Sequence, residues 1–377
     1  MRYLPRRTQS TKRKQKSIIM ILLFDHDSFY LHWRKINTGT YVEGKCKLCP
    51  DWPAKVIKNI GKIDDVKIIG YFLRQGNNFF PKPATLVTPR TLANLRNCVR
   101  FLPEYNDLTF KIVDFLVKKL PLASHIILCD TAFFVDLPDK TSNYAVPFPL
   151  REKGIKRYGG YGLGHFWAFQ RISPFVHHCK KIVSLYIGNN TNVAAIRDGK
   201  PIETSIGFTP IEGILSPTRC GYIDPTIIFH LLSLGMSLVE INKMLSQKSG
   251  LTALLGKKAQ MSNISRKDLN PKIIAAREIY CYNTAMYVGG CIALLGGIDA
   301  IVFFSRQPEQ FKTIITEICH RLNFLKLKLK TNISVKNETS VLTVSKSPVA
   351  VFCLQYNKWK TMQENINHFL YKKGGIK

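Results

Sequence analysis

Apolar positions along the chain fall into two kinds of run, which alternate over most of its length. Short uninterrupted runs that end at polar or glycine-bearing turns predict buried strands. Longer runs with apolar residues at helical spacing predict amphipathic helices. The predicted strands include 18–24, 126–129, 181–187, 192–196, 201–204 and 299–304, and the predicted helices include 271–295, 308–322 and 359–371. This alternation predicts an α/β protein in which helices flank mixed sheets.

Turn residues separate three of these strands. Gly188-Asn189-Asn190 follows the strand at 181–187, and Asp198-Gly199 follows the next one. Tight turns at both places predict a strand meander. A glycine turn also lets backbone N–H groups approach an anion closely, so residues 188–190 are a candidate phosphate loop.

Capping residues mark the helix ends in the second half of the chain. Ser237 and Glu240 have the spacing of a capping box, and Gly250 predicts the stop that follows. Asn270 before Pro271 predicts the start of the long helix, and Gly296 predicts its end.

Two side chains stand out for their chemistry. Asp130 directly follows the strand at 126–129, which places its carboxylate at the carboxyl end of a buried strand, where α/β sheets bind ligands. Arg219 lies in a short polar segment, and its guanidinium has the shape to bind two oxygens of a phosphoryl group.

Composition is that of an ordinary globular protein. The chain has 377 residues, of which 45% are hydrophobic and 21% charged, so two domains are expected and a disordered chain is excluded. The formal net charge is +30, and seven of the cationic residues fall within residues 1–17, which hold no Asp or Glu. The remaining +23 is scattered, which favours a generally basic surface over a nucleic-acid interface.

The start of the chain allows several interpretations. No apolar run reaches the roughly 18 residues that a membrane-spanning helix needs, so we expect a cytoplasmic protein without a membrane partner. Residues 1–17 are interpreted as a basic disordered tail. A targeting segment, or a true start at Met20, remains an alternative because the apolar run 18–24 resembles the core of a signal peptide.

The ten cysteines are spread singly, which is typical of buried thiols in a reducing compartment. The pair Cys46 and Cys49 is the exception, but no second pair at zinc-ligand spacing follows it, so a loop with two thiols is favoured. The cluster at 177–179, His-His-Cys, is likewise interpreted as a loop.

Three segments carry a specific pattern. Residues 186–190 read Tyr-Ile-Gly-Asn-Asn, residues 203–213 read Glu-Thr-Ser-Ile-Gly-Phe-Thr-Pro-Ile-Glu-Gly, and residues 218–225 read Thr-Arg-Cys-Gly-Tyr-Ile-Asp-Pro. Together they resemble the acetate kinase family. Supporting matches lie at 130–133, 157–159 with His165 downstream, 248–251 and 295–303. The resemblance is strong from about 126 to 303 and faint but collinear outside that range.

The resemblance implies a two-domain actin/hexokinase-like (ribonuclease H-like) fold and a homodimer. Residues 18–150 together with 358–377 would form the N-terminal domain, onto which the last helix folds back. Residues 151–357 would form the C-terminal nucleotide domain.

The resemblance also implies a reaction, in which the γ-phosphoryl group of ATP moves to acetate with Mg²⁺ to give acetyl phosphate and ADP. By position, Asp130 matches the family's catalytic aspartate and Arg219 its transition-state arginine. Gly188, Asn189 and Asn190 fall on its nucleotide-phosphate loop.

The metal and substrate positions depart from the family. Asp25 stands where the family has an asparagine, and a role on the magnesium ion is expected for it by analogy with the wider superfamily. Lys358 falls at about the place of a metal-binding glutamate, which reverses the local charge. Phe72 replaces the substrate-binding arginine, with Arg74 close by.

Two histidines and the adenosine pocket are also altered. Tyr161 and Tyr186 replace family histidines, so His165 is interpreted as a packing residue. The glycine-rich adenosine loop falls on residues 305–310, which contain no glycine, and two further nucleotide contacts fall near Gln260 and Ser262.

Three functions follow for testing. The first is an acetate kinase-like phosphotransferase for ATP and a short carboxylate, with activity weakened or lost because several site residues are replaced together. The second is a catalytically inactive relative that acts in dimerisation or regulation. A nucleic-acid binder is the third and least favoured.

Overall fold

A computed structural model describes residues 20–27, 29–37, 40–175, 180–266, 270–331, 335 and 338–372. The basic segment 1–17 and the cluster at 177–179 lie outside these residues, so the predictions for them stay untested. Across the described ranges, no helix has both the length and the apolarity to cross a bilayer.

The first sheet is built from the early part of the chain. Its strands are β1 (Met20–His26), β2 (Tyr30–Asn37), β3 (Thr40–Lys47), β4 (Val66–Leu73), β5 (Ala84–Leu86) and β6 (Ser124–Cys129). They lie in the order β3-β2-β1-β4-β6-β5, in which β4 runs parallel to both β1 and β6. The mixed sheet follows from the helices that separate its parallel strands in sequence, because parallel neighbours need crossover connections.

Helices cover both faces of this sheet. The helices between its strands are α1 (Trp52–Ile60), α2 (Pro89–Cys98) and α3 (Pro103–Lys119). Along β1 the side chains alternate, so that Leu22 and Phe24 pack with these three helices. Leu23 faces the other way and packs with Met362 of the last helix, α13 (Lys358–Lys372).

The second sheet comes from the later part of the chain. Its strands are β7 (Lys181–Ile187), β8 (Thr191–Arg197), β9 (Lys200–Thr204), β10 (Ala300–Ser305), β11 (Thr339–Val341) and β12 (Ala350–Gln355). Their order is β11-β12-β10-β7-β8-β9, with β10 parallel to β7 and β12 and the other pairs antiparallel. The remaining helices are α4 (Asp139–Ser142), α5 (Phe148–Glu152), α6 (Gly162–Ile172), α7 (Thr226–Ser233), α8 (Leu238–Lys243), α9 (Leu251–Leu255), α10 (Met261–Ser265), α11 (Pro271–Leu295) and α12 (Lys312–Arg321).

The predicted α/β class with mixed, helix-flanked sheets is confirmed. The meander β7-β8-β9 and the long helix α11 lie where turn and cap residues place them, and Ser237 and Glu240 form the capping box. One element differs, because the helix predicted from 308 begins as a 3-10 turn and becomes α12 only at Lys312. The domain boundaries at 150/151 and 357/358 stay predictions.

A cavity of about 250 Å³ lies where the carboxyl ends of parallel strands from both sheets converge. Asp25 near the end of β1, Arg74 after β4 and Asp130 after β6 line it from the first sheet. Arg306 after β10 and Tyr356 after β12 line it from the second. This is the position at which α/β sheets bind ligands.

Candidate active site

Asp130 is held by the start of α6. Its Oδ2 accepts a hydrogen bond from the Tyr161 N–H at 2.7 Å, and its Oδ1 accepts one from the Leu163 N–H at 3.3 Å. Burial raises the pKa of Asp130 to about 6, although Lys358 and these N–H groups act in the opposite direction. A pKa near 6 places the change in charge of this carboxyl group close to pH 6, inside the cavity and in a fixed orientation.

Tyr161 joins Asp130 to the predicted phosphate loop. Its backbone has a positive φ of 58°, which directs the N–H toward Asp130, and its ring stacks on that of Tyr186 at 4.1 Å between centroids. Its hydroxyl accepts a hydrogen bond from Asn190 Nδ2 at 2.8 Å. Burial raises the pKa of both tyrosines, so neither hydroxyl carries a charge at neutral pH.

The loop at 188–190 turns tightly between β7 and β8, as predicted. Asn189 and Asn190 line the cavity. The Gly188 N–H donates to the carbonyl oxygen of Asn190 at 3.0 Å, so this amide is used within the turn. A Cβ at position 188 would lie 2.6 Å from the Tyr186 hydroxyl oxygen, which explains the glycine. The structure therefore brings the two asparagines to the cavity, with Gly188 shaping the turn.

Arg219 lies in the loop between β9 and α7 and lines the same cavity. Its Nη1 is buried and has no hydrogen-bond partner among the described residues. Gly250 supports this loop, because its φ is +62° and a Cβ there would lie 2.6 Å from the Arg219 carbonyl oxygen. A buried guanidinium nitrogen without an acceptor is costly, and an oxyanion ligand would satisfy it.

Asp25 is paired with two cations. Lys358 Nζ lies 2.6 Å from its Oδ2, and Arg74 Nη2 lies 3.5 Å from its Oδ1. The side chains of Asp25 and Lys358 are only 12% and 16% exposed. Burial acts to raise the pKa of Asp25, but Lys358 and Arg74 hold it well below its usual range. Asp25 is thus a permanent anion whose charge is already balanced.

A protein-held magnesium site does not fit these carboxylates. Asp25 faces two cations, Asp130 accepts two backbone N–H groups, and Asp27 accepts those of Phe29 and Tyr30 and faces His32 at 2.9 Å. In the part of the chain that the structure describes, no three His, Cys, Asp or Glu side chains are grouped as metal ligands. The magnesium role predicted for Asp25 therefore finds no support here, because Lys358 and Arg74 sit against both of its oxygens.

Other motif residues have structural roles. Arg157 forms ion pairs of 3.1 Å with both Glu203 and Glu212, so it connects the segment at 157–159 to the segment at 203–213. His165 is fully buried, its Nδ1 lies 3.0 Å from Ser184 Oγ, and burial lowers its pKa to about 3. It is a neutral packing residue, as the sequence suggests.

Sequence reasoning missed the pairing of Lys358 with Asp25, which joins positions 333 residues apart. The reversed charge at Lys358 was the available signal. Arg306 also lines the cavity, although the sequence marks it only as part of an altered loop.

Two mixed sheets around such a cleft define a two-domain actin/hexokinase-like fold. Acetate kinases from Entamoeba histolytica and Porphyromonas gingivalis both superpose with a TM-score of 0.83, at 21% and 22% identity. Each alignment covers 93% of this chain, together with 99% of the first structure and 100% of the second.

The sequence comparisons identify the family. The model of the acetokinase family matches residues 54–363, and the chain belongs to that family. It is 32% identical to the acetate kinase of Phocaeicola vulgatus over 301 residues, which are 78% of this chain and 75% of that protein. It is 29% identical to that of Helicobacter hepaticus over 307 residues, 79% and 76% of the respective chains.

Proposed function

We propose that this chain is an acetate kinase-like phosphotransferase whose Mg²⁺-dependent transfer from ATP to acetate is weak or lost. Its relatives named above are acetate kinases, which supports the reaction class. The weakened or lost activity is inferred from the Lys358–Asp25 ion pair. This pair places a fixed cation against Asp25, the carboxylate for which a role on the magnesium ion is expected.

The residues that remain suit phosphoryl transfer. A carboxylate oxygen of the acceptor would attack the γ-phosphorus, and the bond to the bridging oxygen of ADP would break as ADP leaves. The unpartnered Nη1 of Arg219 would bind an oxygen of the transferring group. Asn189 and Asn190 would hold the nucleotide phosphates, and Asp130 would orient the reacting groups.

The second candidate is a catalytically inactive relative that acts in dimerisation or regulation. The observation that favours it is the Tyr161–Tyr186 stack, where neutral hydroxyls stand in the cleft at two positions that carry histidines in the family. Loss of several preorganised charges together leaves little catalysis.

We also propose a homodimer. Support comes from exposed apolar side chains on α11, where Tyr282 and Met286 are 59% and 55% exposed and lie one turn apart. Further exposed apolar residues on and beside α7 and α8 are Phe229, Leu234, Leu238 and Val239. Patches of this kind mark interaction surfaces. A cytoplasmic location is proposed because the cysteines of the described ranges are free thiols.

The test is acyl phosphate formation from ATP by the full-length chain, with Mg²⁺ and a series of short carboxylates. Arg219→Ala is the blank. Turnover above this blank would support the phosphotransferase and reject the inactive relative. Activity equal to the blank, from a protein that is folded by circular dichroism, would support the inactive relative.

A further inference from the structure

Cationic side chains outnumber carboxylates around the cavity. Arg74, Arg219, Arg306 and Lys358 line it, against Asp25, Asp27 and Asp130. Asp27 is engaged by the imidazole of His32 and by backbone N–H groups. The cavity is therefore positive even when all three carboxylates are ionised, and it would attract an anionic ligand.

Lys358 is fixed in this cavity. It is the first residue of α13, and the next residue, Trp359, is buried in the core between that helix and the first sheet. Its Nζ lies 2.6 Å from Asp25 Oδ2 and 3.9 Å from the centre of the Phe72 ring. The Lys358 backbone is fixed by the buried neighbour and its ammonium group by Asp25 and Phe72, so the positive charge is preorganised.

Asp25 is shared by two cationic side chains, so the group of three has a net positive charge. Asp25 balances one charge, whereas Lys358 and Arg74 bring two. Arg74 also donates to the His26 carbonyl and lies over the Tyr105 ring at 4.7 Å, so its position is fixed as well. Together with the unpartnered Nη1 of Arg219, Lys358 and Arg74 can donate hydrogen bonds to an oxyanion from both sides of the cleft.

We propose that Lys358 is a built-in cation, and that the cleft binds a phosphoryl-type oxyanion without a divalent metal ion. A divalent ion beside Asp25 would meet the ammonium of Lys358 and the guanidinium of Arg74, and like charges at this range repel strongly. The inference rests on the proposed function only in using the same cleft. It concerns binding, so it stands or falls independently of turnover.

The experiment is calorimetric titration of the full-length chain with inorganic phosphate and with sulfate, in EDTA and in excess MgCl₂. Both anions are expected to bind in EDTA, with affinities that change less than about twofold when MgCl₂ replaces EDTA. Lys358→Met is expected to weaken binding about tenfold, the loss typical of one charge-assisted hydrogen bond.

Matched variants separate the role of Lys358 from a general charge effect. Lys360→Met removes the same charge from the same helix, where Lys360 pairs with Glu338 at 2.9 Å, and should leave affinity unchanged. Asp25→Asn/Lys358→Met removes both charges of the pair, controls for misfolding and leaves the net charge of the cavity unchanged. It should still show weakened binding, because the ammonium group that donates directly to the oxyanion is lost. Asp25→Asn/Lys358→Glu is expected to bind sulfate only when MgCl₂ is present.

The inference is overturned if the folded wild-type chain binds neither anion in EDTA, or binds only with MgCl₂. It is also overturned if both Lys358 variants that carry methionine keep wild-type affinity. Anion binding in EDTA without any acyl phosphate formation would reject the active phosphotransferase and support this inference. Turnover that requires Mg²⁺, with no anion binding in EDTA, would support the active phosphotransferase and reject this inference.

Discussion

At the scale of single residues, the site is governed by which charges are balanced. Asp25 has two cations against it, while Asp130 has only backbone donors and deep burial. The pKa of Asp25 is accordingly depressed and that of Asp130 raised to about 6, so the two carboxylates in one cavity differ in protonation below about pH 6.

Removing Lys358 alone should destabilise the protein more than removing the whole pair. Lys358→Met leaves Asp25 buried with only the more distant Arg74, and a cost of about 3 kcal/mol is expected from breaking a buried ion pair. Asp25→Asn/Lys358→Met leaves no unbalanced carboxylate and should recover about half of that cost. Denaturant unfolding measures both, and equal losses for the two variants would contradict the expectation.

Sulfate affinity should rise as the pH falls through about 6. The folded pKa of Asp130 is raised to about 6, so the carboxyl group becomes neutral below that pH and stops repelling a dianion. For a dianion about 5 Å away, the gain is about tenfold even at the dielectric constant of water. Calorimetry of wild type and Asp130→Asn isolates the effect, since sulfate keeps its charge and the variant should lack this step.

At the scale of elements, glycines at fixed places hold the functional loops. The sequence predicts Gly250 only as the stop of the helical segment that starts at Ser237. In the structure its φ of +62° also brings the chain against the loop that carries Arg219. A Cβ there would lie 2.0 Å from the Ser216 carbonyl oxygen, so the loop has no room for a side chain.

Gly250→Ala should displace the Arg219 loop and weaken sulfate binding about tenfold, as well as lower stability. Gly61→Ala is the matched control. The backbone of Gly61 has φ 71° and ψ −138°, close to the φ 62° and ψ −140° of Gly250, so both variants carry similar backbone strain, but no atom lies within 4 Å of a Cβ at position 61. Calorimetry and thermal unfolding of both variants check this, and equal sulfate affinities would show that the contact with Ser216 and Arg219 does not matter.

Element positions were predictable where local signals are strong. The cap at Asn270, the glycine at 296 and the turn at 188–190 each act over a few residues, and α11 and β7 follow the prediction closely. The Lys358–Asp25 pair and the left-handed backbone of Tyr161 were not predictable, because both depend on neighbours distant in sequence. The motif match predicts that Asp130, Asn189 and Arg219 belong to one site. The balance of charges in the cavity could not be predicted, because it depends on which side chains the fold brings together.

At the scale of the whole molecule, the last helix joins the two sheets around the cleft. Tyr356 follows β12 of the second sheet, and two residues later Lys358 begins α13, which packs on the first sheet. The site is therefore assembled from both ends of the described chain.

The proposed dimer should depend on the exposed apolar residues of α11. Tyr282→Glu/Met286→Glu places charges on that face and should convert a dimer to monomers at micromolar concentration. Leu122→Glu is the control, since Leu122 is 98% exposed in the turn after α3. Light scattering after size exclusion decides, and a wild-type monomer, or a double variant that stays dimeric, would reject this surface.

The ion pair between Asp25 and Lys358 also makes substitutions at the two positions interdependent. Asp25→Asn alone leaves the buried ammonium of Lys358 without its carboxylate, and Lys358→Glu alone places two carboxylates face to face. Asn at 25 together with Glu at 358, the residues that the family resemblance implies, avoids both of these states. The two positions should therefore tolerate exchange only as a pair.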